Sequence, residues 1–205
     1  VSYTAAVIQN CSQTENASVK IVVKPNPVAD FTWSNSLCMN DTIQFTGTSV
    51  PGIFNFTGYN WFFDDATTAN SQHTVKSFLS PGNHPVHYQV IAGNGCVGDT
   101  IKTVVIWENP IARFGVAGSV CLGDSVYITD TSSVASGTIA SWRWDFGDGN
   151  TDVRTNGNPF YHTYTTPGNY LVSLVVISSN GCKSDTLFRT INTNTQTYSL
   201  GPDQV

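Results

Sequence analysis

Trp142-Arg143-Trp144-Asp145-Phe146-Gly147-Asp148-Gly149 is the stretch that decides the fold of this chain. Trp142, Trp144 and Phe146 alternate with Arg143, Asp145 and Gly147, so in an extended strand the aromatic rings share one face. The Gly-Asp-Gly that ends it supplies a turn, because glycine adopts positive φ without steric cost and Asp bonds to backbone two residues on. A core strand running into a tight turn is the expectation, with Trp144 buried.

Outward from this stretch the sequence repeats. Tyr59, Trp61 and Phe63 recur at an offset of 83 as Trp142, Trp144 and Phe146; Asn26-Pro27-Val28-Ala29-Asp30-Phe31 recurs as Asn109-Pro110-Ile111-Ala112-Arg113-Phe114, and Cys38 as Cys121. After a small insertion the offset becomes 86, matching Pro81-Gly82-Asn83 to Pro167-Gly168-Asn169 and Gly95-Cys96 to Gly181-Cys182. Two full units are expected at residues 28–107 and 111–192. Residues 1–25 read as the closing strands of a preceding copy, which accounts for the odd Cys11, and 193–205 as a linker and the start of another domain. Val1 to Val7 lacks the basic start of a secretory leader, so a slice of a longer chain is expected. Period-two patterning recurs in Thr42 to Thr46 and Ser125 to Thr129, while turns at Gly93-Asn94-Gly95 and Ser179-Asn180-Gly181 close hairpins. Nothing has a helical period. The fold class is therefore all-β, each unit a two-sheet antiparallel sandwich.

Composition narrows the function. Only 11% of the 205 residues are charged against 40% hydrophobic and 12% aromatic, so Ser, Thr, Asn and Gly must supply much of the solvated surface. A net charge of −5, with no cluster of Lys or Arg, argues against nucleic acid as a partner. The longest apolar run, around Leu171 to Ile177, is strand-length, so no membrane insertion is expected in this segment. Five cysteines without a Cys-x-x-Cys spacing favour disulfides in an oxidising compartment over zinc ligation.

The second unit carries Trp144-Asp145-Phe146-Gly147-Asp148-Gly149, His162-Thr163-Tyr164 and Pro167-Gly168-Asn169-Tyr170 in order. This set resembles the polycystic-kidney-disease (PKD) domain. The first unit is a diverged copy, with Trp61-Phe62-Phe63-Asp64-Asp65 for the first element and Lys76-Ser77-Phe78 for the second. The resemblance implies tandem immunoglobulin-like sandwiches in a rod, with Trp61, Trp144, Asp145, Gly147, Asp148, Gly149, His162 and Tyr164 as structural motif residues. The cysteine placement, and Leu200-Gly201-Pro202-Asp203 near the end, further resemble repeats in large Bacteroidetes surface proteins. That resemblance implies a type IX secretion substrate of the gliding or attachment adhesin kind, at the bacterial cell surface.

In an immunoglobulin-like sandwich Cys38 and Cys121 start the second strand at one end, while Cys96 and Cys182 sit at the other, on the order of 25 Å away. A disulfide needs Cα atoms within about 7 Å. A staggered Cys38 to Cys182 link is therefore favoured, with Cys38 to Cys96 and Cys121 to Cys182 as the alternative. Asp145 and Asp148 can be read as a carboxylate pair or as calcium ligands, but their place beside a tight turn favours backbone capping; no catalytic residue, metal or cofactor is assigned, with calcium kept as the weak candidate. His84 and His87 have a metal-like spacing yet face opposite sheet surfaces on a strand. Thr42, Thr100, Ser125 and Thr186 each follow an Asp and precede an apolar residue, a pattern resembling the Bacteroidetes O-glycosylation signal. Asparagine sequons stand at Asn10, Asn16, Asn40 and Asn55. Trp107, Phe54 and Phe56 are the candidates for exposed aromatics, falling at an edge or in a loop, with packing between repeats the favoured role for Trp107.

Two functions follow as expectations. One is a non-catalytic stalk segment of an extracellular adhesin, whose partners are neighbouring repeats of the same chain. The other is an accessory module of a secreted hydrolase that contacts surface polysaccharide or another protein.

Overall fold

The computed structural model describes residues 2–7, 15–20, 25–34, 36–116 and 118–195. Cys11, Asn10 and Leu200 to Asp203 lie outside the described residues. Chain contacts divide the molecule into two units. One comprises Val1–Ser34, Gln44–Lys76 and His84–Val104; the other comprises Asn35–Ile43, Ser77–Asn83 and Val105–Val205. Two short segments of the first repeat are thus counted with the second unit.

Strand β1 (Ser2–Val7) pairs antiparallel with β2 (Glu15–Lys20), Ser2 facing Lys20. The first repeat then runs β3 (Phe31–Trp33), β4 (Thr42–Gly47), β5 (Phe56–Phe63), β6 (Thr68–Ala69), β7 (His73–Ser77), β8 (Gly82–Ala92) and β9 (Val97–Ile106). Its sheets have the orders β3-β4-β7 and β6-β5-β8-β9. In β4 the alternation expected from sequence is realised: Ile43 and Phe45 are buried, Thr42 and Gln44 exposed. Phe31, Phe45, Trp61 and Tyr88 form the aromatic centre, with Trp61 stacked on Tyr88 at 3.9 Å between ring centroids and Phe31 edge-on to Trp61 at 5.1 Å.

The second repeat runs β10 (Phe114–Gly115), β11 (Ser119–Cys121), β12 (Ser125–Asp130), β13 (Ile139–Asp145), β14 (Thr151–Arg154), β15 (Phe160–Thr163), β16 (Gly168–Ser178) and β17 (Leu187–Asn194). A three-stranded sheet β10-β12-β15 and a five-stranded sheet β11-β17-β16-β13-β14 enclose one core. Val126, Ile128, Trp144, Val172, Leu174, Val176 and Ile191 are buried in it. Removing each aliphatic side chain from water stabilises the fold by roughly 1.5–3 kcal/mol. Phe114 and Phe160 meet Trp144 edge-on at 5.0 and 5.3 Å. All described residues in regular structure are in strands or bridges; none is helical.

Two details depart from the sequence reading. Not every pair is antiparallel: β11 runs parallel to β17, with Ser119 beside Asn192 and Cys121 beside Asn194. The chain enters the repeat on the small sheet at β10, then joins the outer edge of the large sheet at β11. There it travels in the same sense as the last strand. That last strand also continues to Asn194, past the expected end at 192.

Candidate functional site

In the second repeat the motif turn joins β13 to β14. Phe146 N–H donates to Asn150 O (3.1 Å), closing a hairpin in which Gly147 and Gly149 have φ of +75° and +89°. A Cβ on Gly147 would stand 2.8 Å from Leu171 N and 2.9 Å from Leu171 O, so the strand behind the turn also demands glycine there. Asp145 Oδ1 accepts the Gly147 N–H at 2.9 Å, and Asp148 Oδ1 accepts the Asn150 N–H at 3.0 Å. Both carboxylates thus cap the turn they belong to.

Asp148 does more. Its Oδ2 accepts from the Asn150 side-chain amide at 3.0 Å and lies 2.9 Å from His162 Nε2, with the side chains of Asp148 and His162 each only 14% exposed. The imidazole lies flat on Phe146 (3.9 Å, 10°) and edge-on to Tyr164 (4.7 Å). Tyr164 O–H in turn donates to Phe146 O at 3.0 Å. Burial raises the Asp148 carboxyl, but hydrogen bonds from the Asn150 backbone, the Asn150 side chain and His162 together outweigh it, leaving the group below its ordinary value. Burial pushes the Tyr164 hydroxyl well above the usual tyrosine range. Acid, imidazole and phenol are thereby joined to one another and to the backbone of the turn.

The first repeat reaches the same arrangement with other residues. Phe63 N–H donates to Thr67 O at 3.0 Å, and Ala66 holds φ of +63° where the second repeat has Gly149. Asp65 stands at the position of Asp148 and Lys76 at that of His162; the two form a close ion pair, and the Lys76 ammonium lies 5.3 Å from the Phe63 ring centroid. Hydrogen bonds from Lys76 and then from the Thr67 hydroxyl hold Asp65 at about 2. Asp64 and His84 replace Gly147 and Tyr170, with His84 Nδ1 at 2.7 Å from Asp64 Oδ2. The Lys76–Asp65 pair was missed in the sequence, although the offset of 86 places Lys76 against His162.

The remaining candidates fall into place individually. Trp61 is fully buried and its indole N–H donates to Ser71 O at 2.8 Å. Trp144 is buried as well, its Nε1 without a protein acceptor. His84 is buried against Asp64, whereas His87 is directed to Asp99 at 3.4 Å, so the two imidazoles do not converge. Among the described residues no group of three or more His, Cys, Asp or Glu could hold a metal ion. Thr42, Ser125 and Thr186 are exposed and Thr100 half-buried. Thr42 and Ser125 face the hydroxyls of Ser77 and Thr163 at 3.4 and 2.9 Å.

Of the aromatic residues expected to be exposed, Trp107 and Phe56 are half-buried and only Phe54, at 36% exposure, lies at the surface. Trp107 is held by its backbone: its N–H donates to Leu37 O at 2.7 Å and its carbonyl accepts from Met39 N at 2.9 Å, all within the second unit. Beside it, also within that unit, Cys38 and Cys182 are joined by a disulfide with Cα atoms 5.5 Å apart. Cys96 and Cys121 are free, so neither Cys38–Cys96 nor Cys121–Cys182 is formed.

Two successive β-sandwich repeats, each with an acid capping an aromatic turn, define the class to which the chain belongs. It is a member of the PKD domain family, whose description matches residues 24–106 and 107–192. Pre-pro-metalloprotease PrtV of Vibrio cholerae serotype O1 is 41% identical over 86 residues, covering 42% of this chain and 9% of that protein. A microbial collagenase of Vibrio alginolyticus is 32% identical over 83 residues, covering 37% and 10%. The crystal structure of the PKD1 domain from the Vibrio cholerae metalloprotease PrtV is 38% identical, with a TM-score of 0.37, and covers 42% of this chain and 99% of that one. The chain thus spans about a tenth of the length of the curated relatives it matches.

Proposed function

We propose that this chain is a non-catalytic structural segment of a secreted bacterial protein, a spacer that carries other parts of its parent away from the cell. The observation that carries the reading is the fate of the motif's reactive groups. Asp145 and Asp148 cap their own turn, and His162 is enclosed between Phe146, Tyr164 and Asp148. General acid–base chemistry requires a group within hydrogen-bond reach of a substrate proton, and these groups are committed to the fold. No cofactor is required by this reading. The finer form is that the parent is a large Bacteroidetes surface protein, a type IX secretion substrate of the gliding or attachment adhesin kind. It is supported by the cysteine placement and by the Asp-Ser/Thr-apolar sites at Thr42, Thr100, Ser125 and Thr186.

A second reading is an accessory module of a secreted hydrolase that contacts polysaccharide or protein. It is favoured by the relatives, a pre-pro-metalloprotease and a microbial collagenase. Retention of the chain on insoluble polysaccharides and on collagen separates the two. The spacer reading expects no retention and no hydrolysis of peptide, glycoside or ester substrates. Retention lost on Phe54→Ala or Trp107→Ala would establish the module instead, and turnover lost on Asp145→Asn would overturn both.

A further inference from the structure

Cys96 and Cys121 occupy the same backbone frames as the two cysteines that are bonded. At Cys38 the carbonyl accepts the Asp41 N–H at 3.1 Å, Met39 N–H donates to Trp107 O at 2.9 Å, and Cys38 lies in a parallel bridge with Trp107. At Cys121 the carbonyl accepts the Asp124 N–H at 3.1 Å, Leu122 N–H donates to Asn194 O at 2.8 Å, and Cys121 pairs in parallel with Asn194. Even the turn residue two positions on repeats, Asn40 and Gly123 having φ of +68° and +89°.

The other pair matches as closely. Cys182 accepts the Ser178 N–H at 2.8 Å after a turn in which Gly181 N–H donates to Ser178 O at 2.9 Å; Cys96 accepts the Ala92 N–H at 2.9 Å after a turn in which Gly95 N–H donates to Ala92 O at 2.8 Å. Gly181 and Gly95 have φ of +85° and +82°. What differs is burial: Cys38 and Cys182 are buried, while Cys96 and Cys121 are half-buried thiols.

From this the geometry points to Cys96 and Cys121 as two open halves of the linkage that Cys38 and Cys182 close. Cys121 bonds the Cys182-equivalent cysteine of one further PKD-type repeat, and Cys96 bonds the Cys38-equivalent cysteine of another. The partner at both sites is a repeat of this same family. The inference rests on the spacer reading only in taking the repeats to act in succession. Each bond forms by thiol–disulfide exchange with a disulfide oxidant such as oxidised glutathione. One thiolate attacks the oxidant to give a mixed disulfide, the second thiolate displaces the remaining glutathione, and two protons and two electrons leave with the two glutathione thiols.

Among the described residues the chain carries one open half of each kind, so two copies of it can complete a linkage. The purified chain carrying Cys11→Ser, so that Cys96 and Cys121 are the thiols left beside the Cys38–Cys182 pair, is held at high concentration in a glutathione redox buffer and mapped by non-reducing peptide analysis. The expected result is Cys38–Cys182 within each chain and Cys96–Cys121 between chains, with Cys96→Ser and Cys121→Ser each abolishing the intermolecular species. Indiscriminate oxidation gives like pairs, Cys96–Cys96 and Cys121–Cys121, together as often as the mixed one. Like pairs at that level would overturn the inference, as would thiols that stay unlinked while Cys38–Cys182 forms. Neither failure touches the spacer reading, which stands or falls on retention and turnover.

Discussion

The two turns of this molecule solve one packing problem with different chemistry. In the second repeat an imidazole lies on Phe146 and holds Asp148; in the first an ammonium stands over Phe63 and holds Asp65. The constant element is an acid at the turn, a nitrogen donor to satisfy it, and an aromatic ring beneath that donor. The imidazole itself is dispensable. Backbone conformation is constant too: Asn40 and Ala66 keep the positive φ that Gly123 and Gly149 adopt in the second repeat. Where the second repeat has Gly147 against the Leu171 backbone, the first has Asp64, whose carboxylate pairs with His84.

The comparison is broken most severely at the tryptophans. Trp61→Ala and Trp144→Ala are each expected to cost about 3 to 5 kcal/mol in denaturant melts, the range for a buried aromatic. A cost under about 1 kcal/mol at either site would show that its strand does not carry the core. Trp→Phe sharpens the difference between the repeats. Trp61→Phe strips Ser71 O of its donor, whereas Trp144→Phe removes an indole N–H that has no protein acceptor, so the first is expected to cost about 1 kcal/mol more.

Next come the donors. His162→Ala removes a stacked ring and the partner of a mostly buried carboxylate, and a loss of about 1–2 kcal/mol is expected. Lys76→Ala is expected to cost at most about 1 kcal/mol, because Asp65 is 50% exposed and water replaces much of the lost pairing. Equal losses would contradict the difference in burial.

Acid acts in one direction on both turns. Asp65 and Asp148 are held below the ordinary 3.8, so each contributes stability fully above the unfolded value and loses it as pH falls through the folded value, about 2 for Asp65. Asp65→Asn should therefore flatten the stability profile between about pH 4 and 2 and leave it unchanged near neutrality in slope. The smallest expected effect is a gain. Ala66→Gly relieves a left-handed alanine, worth about 1–2 kcal/mol, against a backbone entropy cost of about 0.5–1 kcal/mol, for a net stabilisation of about 0.5–1 kcal/mol by thermal melt.

Much of this was legible in the sequence because a strand's side chains alternate and a tandem repeat reports its own register. Trp144, Ile128 and Val126 could be assigned to the core from spacing alone, and the offsets placed the hairpins of both copies. The parallel run of β11 beside β17 was not legible, since three residues, Ser119 to Cys121, carry no periodicity that sets their direction. Lys76 was passed over because a motif is read as letters. Its role depends on a donor reaching Asp65 across the hairpin, which either Lys or His can do. Trp107 stood among the candidates for exposure, with packing between repeats as its favoured role; its N–H and carbonyl are taken up by Leu37 and Met39, so no open edge remains there.

The Cys38–Cys182 bond has a consequence under tension. It encloses residues 39–181 in a covalent loop, the bonded residues being 144 apart in sequence. A pull on the two chain ends passes from Cys38 directly to Cys182 and leaves the enclosed stretch unloaded. Among the described strands, β1, β2 and β3 before the loop and β17 after it lie on the loaded path, so the cores built around Trp61 and Trp144 can lose β3 and β17 but cannot be drawn out. At about 3.5 Å per extended residue, on the order of 500 Å of contour length stays locked while the bond is intact. In single-molecule stretching that length should appear only once a reductant is added, which would make the redox state of one bond the setting for how far this chain can be extended.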